Sequence, residues 1–335
     1  DNRLMNDRAS SMDALGNAAN GTYTHQNLHA DSSPGSGNDN NIINSYREAA
    51  KIITDPFVSR VNVISVPGIK EPFVTDHISE LTRDYSQAIY LMDIPSYDSN
   101  GNRIHNTTTL PDVQKTVDEF EGRGIDNNYV ASYFPDVVFD DDINRTSQDA
   151  PSSIAALKSL GYNDSISYPW FAPAGFNRGS LGNVLNTKVR LNAEDRNILY
   201  ESRINPIANF PNEGVCIWGQ KTLQALPSAL DRVNVRRLLI TVKKFIASAT
   251  RFLVFEQNTA STRNRFLQIV NPYLQDVVAQ SGLSAFRVIM DETNNTPDVI
   301  DQNFLVGQLF LQPTRTAEFI VLDFTIQPTG ASFPD

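Results

Sequence analysis

Four histidines, one cysteine and a run of three aspartates are the residues on which chemistry could rest. His25 and His29 are four apart, a spacing that can place two imidazoles on one helix face around a metal. They sit in a polar stretch with no helical period and no further ligands downstream, so chance accounts for them better. His77 follows Asp76 in TDHISE, and a triad with Ser180 of NRGSLG is conceivable. No Gly-x-Ser-x-Gly elbow is present, and His77 reads more simply as a helix-surface residue. Cys216 is alone, which excludes an internal disulfide and a thiolate metal cluster. Its neighbours Val215, Ile217 and Trp218 describe a small buried core residue. Asp140, Asp141 and Asp142 lack the spacing of a calcium loop and read as a solvated acidic loop. The chain has no phosphate-cradling Gly-x-x-x-x-Gly-Lys and no Gly-x-Gly-x-x-Gly. No catalytic, cofactor-binding or metal residue is therefore assigned, and no cofactor is expected.

Composition narrows the remaining classes. The chain has 335 residues, 40% hydrophobic and 20% charged, enough for one large or two ordinary domains. A formal net charge of −10 repels phosphate and anionic lipid, so neither direct nucleic-acid binding nor membrane insertion is expected. Asp1 is not a methionine, which leaves a fragment or a processed form as one reading.

The elements around these residues alternate. Residues 1–42 are rich in Asn, Ser, Gly and Ala and read as a polar, flexible segment. A short helix is expected over 44–55, and β-branched residues over 60–68 make a strand that ends at Pro67-Gly68. A helix follows over 74–85, with Thr75 or Asp76 as its cap. Residues 87–95 read as a buried strand, 110–124 as a helix, and 128–139 as a third strand broken by Pro135. Residues 150–161 are a helix stopped by Gly161. Strands alternating with helices imply a mostly parallel sheet covered on both faces, an α/β fold. Residues 167–184 carry Tyr168, Trp170, Phe171 and Phe176, and read as an ordered loop with much apolar area to bury.

The second half has a different texture. A short helix is expected over 193–201 and strands over 204–208 and 214–219. Val235, Leu238, Leu239, Val242, Phe245, Ile246, Ala249, Phe252 and Leu253 recur at helical steps. The other face of that helix carries Arg236, Arg237, Lys243, Lys244 and Arg251, either a solvated surface or a face for an acidic partner. A second helix over 262–282 contains Pro272 and stops at Gly282. Strands are expected over 286–290, 304–311 and 318–326; the last has large apolar groups on both faces.

WFAPAG, RINPI, GVCIWGQKTL, VFEQN and DETNNTPDVID occur in one order between residues 170 and 301, and VISVPG and YFPDV precede them. This ordered set resembles the tail sheath proteins of contractile-tailed bacteriophages, and the resemblance covers roughly residues 60–324. It implies a subtilisin-like α/β domain without protease function over 43–205. A smaller α+β C-terminal domain would follow over 206–335, ending in a strand arm at about 317–327. It implies a virion protein, made in the host cytoplasm, that stacks as six-fold rings around a tail tube and contracts to drive the tube through the cell envelope. The expected partners are other copies of the chain, the tube, and baseplate and tail terminator proteins. Glu318, Phe319, Ile320, Val321, Leu322, Asp323 and Phe324 would form the strand given to a neighbouring subunit. Arg236, Lys243, Lys244, Arg263 and Arg265 are candidates for contacts to tube or neighbour. Two other readings remain open at this level: a hydrolase on a subtilisin-like scaffold, and the sheath of a bacteriocin or secretion machine.

Overall fold

A computed structural model describes residues 40–94, 113–141 and 145–318. Most of the polar segment expected over residues 1–42 lies outside the described residues, as do Phe319–Phe324 of the expected arm.

The centre is a five-stranded mixed sheet. β1 (Val63–Ser65), β2 (Ile89–Asp93), β3 (Val130–Phe134) and β7 (Ile204–Phe210) run parallel in that order, and β8 (Gly214–Ile217) closes the edge antiparallel to β7. Every residue of β2 and β3 is buried, as a strand covered on both faces requires. Period-two alternation sorts them. Tyr90, Met92, Val130, Phe134 and Ile204 face one layer, which comprises α1 (Asn41–Ile53), α2 (Pro72–Tyr85), α3 (Val113–Glu121) and α6 (Ala193–Glu201). Ile89, Leu91, Ala131, Tyr133 and Ile207 face the other, where α4 (Ser152–Ile166) and the start of α7 (Val233–Ala249) pack.

Local chemistry sets the helix ends. Asn40 caps α1 by accepting from Ile42 N at 2.9 Å. α6 has a capping box: the Asn192 side chain accepts from Asp195 N, and the Asp195 carboxylate accepts from Asn192 N. α2 departs from the sequence reading: it begins at Pro72 after Glu71, so Thr75 and Asp76 lie inside it and neither caps it. Proline has no N–H to leave unsatisfied and its fixed φ suits a first turn. α4 also departs. Gly161 does not stop it, and the helix continues to Ile166 because Leu160 and Asn163 are buried against its supports and outweigh one glycine.

The expected third strand is two strands in different sheets. Pro135 has no N–H for a ladder, so β3 ends before it and β4 (Val137–Asp141) begins after it. β4 is the centre of a small antiparallel sheet between β5 (Thr146–Ala150) and β6 (Val184–Thr187). Asp140 and Asp141 therefore lie on a strand and not in the acidic loop expected from sequence; Asp142 lies outside the described residues.

The last portion has its own core. α7, α8 (Ala260–Ala279) and the hairpin of β9 (Leu283–Ile289) and β10 (Gln308–Pro313) enclose Leu238, Val242, Phe266, Val270, Leu274 and Met290. Trp170 belongs to this core, and its Nε1 donates to Gln280 O at 3.0 Å, so the aromatic loop is an ordered bridge to the end of α8. The boundary drawn from sequence between residues 205 and 206 runs through β7, which is paired with β3.

Candidate assembly surface

The surface is built from α7, the chain following β10, and the edges they share. Glu318 is the anchor. Arg232, the N-cap residue of α7, donates from Nε to Glu318 Oε1 at 2.7 Å and from Nη2 to Oε2 at 3.0 Å. Tyr200 OH, at the end of α6, donates to Glu318 Oε2, and Gln220 Nε2 donates to Oε1 at 3.2 Å. Burial alone would raise the Glu318 carboxyl, but the hydrogen bonds from Arg232 and Tyr200 and the Arg232 charge outweigh it and hold it below the usual carboxylate range. Arg232 answers in the opposite sense: burial lowers its guanidinium, but the bond and charge of Glu318 raise it above its ordinary value. Burial and the hydrogen bond to Glu318 push the Tyr200 phenol up. The four residues, from four separate places in the chain, meet at Glu318, the last described residue.

α7 does not present one basic face. Arg236 and Arg237, read from sequence as surface cations, are buried. Arg237 pairs through Nη2 with Asp164. Arg236 lies 4.0 Å from the centroid of the Tyr129 ring. The helix is covered on one flank by the central sheet's second layer and on another by the hairpin core, so a two-sided helix buries positions that a one-sided one would expose. Lys243 is exposed and donates to Ser86 Oγ. Lys244 is half-buried and donates to Val61 O at 2.6 Å. Arg263 is buried on α8 and donates to Asn258 Oδ1 at 2.9 Å, whereas Arg265 is exposed. The five candidates thus do not form a single patch. α7 ends before the apolar stripe does: beyond Ala249, Phe252 is 76% exposed, whereas Leu253 is buried in the hairpin core.

Exposed aromatics were not visible in the sequence pattern. Phe255 is fully exposed at φ 71°, a left-handed backbone that an L-residue with a large side chain adopts at a cost. Val254 and Phe304 are also largely exposed in the same portion of the chain, and Phe57 and Val58 protrude after α1.

The residues considered for chemistry are engaged elsewhere. His77 faces Arg47 through Nδ1 at 3.4 Å, and its imidazole is lowered by burial and by the Arg47 charge. Asp76 pairs with Arg123. Ser180 forms a backbone bridge with Cys216, whose thiol is pushed up to about 12 by burial. No contact joins His77 to Ser180 among the described residues. A buried carboxylate that the sequence reading did not single out is Asp93, at the end of β2. It accepts from Gly68 N at 2.9 Å, Ser153 N at 2.9 Å, Ser153 Oγ at 2.8 Å and Ser152 Oγ at 3.1 Å. Burial raises its carboxyl above the ordinary range. It caps the start of α4 from a distance, tying β1, β2 and α4 together. Among the described residues no helix is long and apolar enough to cross a membrane.

Comparison with known proteins finds tail sheath sequences and a sheath fold. Residues 226–327 match the phage tail sheath C-terminal domain family. The tail sheath protein of Vibrio phage KVP40 is 36% identical over 211 residues, 63% of this chain and 30% of that protein. The tail sheath protein of Enterobacteria phage T4 is 39% identical over 172 residues, 51% of this chain and 26% of that protein. The chain thus spans less than a third of the length of either relative. The fold is similar to the sheath complex of the extracellular contractile injection system PVC in its contracted state, with a TM-score of 0.67 at 23% identity over 83% of this chain and 79% of that one.

Proposed function

We propose, from the relation of this chain to phage tail sheath proteins, that it is the part of a contractile tail sheath subunit that holds copies together and contracts with them. The observation that carries this reading is the coincidence of two independent matches. A sheath domain model fits residues 226–327, and a contractile sheath fold fits 83% of the chain. In this reading the α/β portion from residue 43 is a subtilisin-like scaffold without protease function, with β7 and β8 completing its sheet. The remaining chain to residue 335 is the C-terminal sheath unit. Copies stack as six-fold rings around a tail tube in the virion, after assembly in the host cytoplasm, and baseplate and terminator proteins bound the stack.

Contraction is a switch between two packings of many copies, so each copy need contribute only a few kcal/mol. A strand lent to a neighbour suits such a switch, because main-chain hydrogen bonds keep copies linked while they rotate. Glu318 is the root of that strand and Phe319, Ile320, Val321, Leu322, Asp323 and Phe324 are its body. Of the basic candidates, Lys243 and Arg265, which are exposed, and Lys244, which is half-buried, would meet tube or neighbour from the surface in this reading. Arg236 and Arg263 can do so only where a partner reaches into the fold. A sheath of a related injection machine is the second reading, favoured by the fold match to an injection-system sheath.

Electron microscopy of the full chain at high concentration, beside the chain cut before Ala317, tests the proposal. Tubes or rings from the full chain that are lost on truncation are the expected result. If neither protein forms ordered assemblies, the sheath reading fails for this chain.

A further inference from the structure

A groove of about 460 Å3 runs between α7 and β10. Its walls are apolar, formed by Leu239, Ile240, Ile246, Leu309 and Leu311, with Tyr129 beneath. One group does not fit an apolar wall. Arg236 lines the groove, is only 6% exposed, and has a buried Nε without a hydrogen-bond partner. No carboxylate pairs with it among the described residues; the Tyr129 ring face is its compensation. Burying an arginine without a counter-ion costs several kcal/mol, and a ring face recovers only part of that. Its neighbour Arg237, by contrast, is paired with Asp164. Among the described residues the only other cation lining the groove is Lys243, exposed at the rim.

We infer that this groove is a socket for a carboxylate flanked by apolar side chains, and that a second copy of this chain supplies it from the segment over residues 298–304. This rests on the sheath reading, in which copies of the chain associate. The groove asks for one anion in apolar company, since a guanidinium in a dry site binds a carboxylate by charge-assisted hydrogen bonds. A polyanion would find one buried cation and one rim lysine on a chain of net charge −10. The segment after β9 has the matching composition. Asp298 and Asp301 are exposed on the short helix α9 (Pro297–Asp301), Val299 and Ile300 are half-buried beside them, and Phe304 is 60% exposed. Neither carboxylate has a hydrogen bond or ion pair among the described residues. Socket and plug are on separate elements of every copy, so each copy can both give and receive the contact, as a head-to-tail array requires.

The experiment is a photo-crosslink on the full chain. Ala247, exposed and on the groove, is replaced by benzoylphenylalanine in 15N-labelled protein. This is mixed with unlabelled protein under conditions where the chain associates, and cross-linked peptides are mapped by mass spectrometry. Cross-links between labelled and unlabelled copies that end in residues 292–304 are expected. Their yield should fall about tenfold, the equivalent of 1.4 kcal/mol of contact, in Arg236→Met and in the Asp298→Asn/Asp301→Asn double variant. Arg236→Met should melt no lower than the parent, because it removes a buried charge that has no counter-ion and only a ring face for compensation. The double variant changes only exposed side chains and keeps the test valid if Arg236→Met does not fold. Association with cross-links elsewhere, or undiminished in the double variant, overturns the socket and leaves the sheath reading standing. No association at any concentration overturns both.

Discussion

Glu318 shows how one carboxylate can govern a terminus. It accepts from Arg232, Tyr200 and Gln220, and its side chain is 18% exposed. Its carboxyl is held below the ordinary range, so the unfolded chain takes up its proton first as pH falls. The stabilisation is therefore fully present above the unfolded value near 4.5 and is lost as pH drops through the folded one. Glu318→Gln should cost about 1–2 kcal/mol at neutral pH, discounted from a fully buried pair because Arg232 is partly exposed. Thermal melts of parent and variant measured side by side should converge as pH is lowered below 4. A constant gap across that range would show that charge is not what the clamp uses. Little of this was legible in the sequence. Glu318 was read as the first residue of a strand, while Tyr200, Gln220 and Arg232 had no pattern to mark them. They converge only because α6, the end of the central sheet and the start of α7 meet there.

At the scale of elements the sequence was more informative, and the reason is periodicity. β2 and β3 are short apolar runs between turn residues, and α6 lies where expected over 193–201, with a capping box written in four consecutive residues. What was missed depended on distant partners. Nothing near Asp93 reveals that it caps α4, and nothing in the α7 stripe reveals that both its flanks are covered. Gly179 is an element-scale case of the same kind. A Cβ there would lie 2.8 Å from Ala174 Cα and 2.8 Å from Ile217 O, both backbone atoms that cannot swing aside. It lets the turn after α5 (Gly175–Arg178) lie against β8, where Ile217 N donates to Gly179 O at 2.9 Å. Gly179→Ala should lose about 1–3 kcal/mol in denaturant unfolding, the usual range for an overpacked site. Gly182, which has nothing within 4 Å of its built Cβ, is the control: alanine there should be close to neutral.

For the whole molecule, the sheath reading raises the question of what a chain of net charge −10 would use to meet copies of itself. Like net charge repels at long range, so attraction must come from short-range contacts, apolar burial among them. Phe255 is the sharpest candidate. It is entirely exposed and held at φ 71°, so the isolated chain bears a backbone cost and gains no burial in return. In an assembled sheath the same side chain would remove its ring from water, a gain of roughly 1.5–3 kcal/mol per copy if fully covered. Phe255→Gly separates the two effects. Glycine adopts positive φ without penalty, which favours the folded variant, but its freer unfolded chain offsets part of that gain. The isolated variant should therefore unfold within about 1 kcal/mol of the parent. Its association, followed by sedimentation over a concentration series, should weaken by more than about tenfold, because that burial is gone. A variant that associates as the parent does would place Phe255 outside every contact between copies, and the apolar drive would then lie with other exposed groups such as Phe57, Phe252 and Phe304.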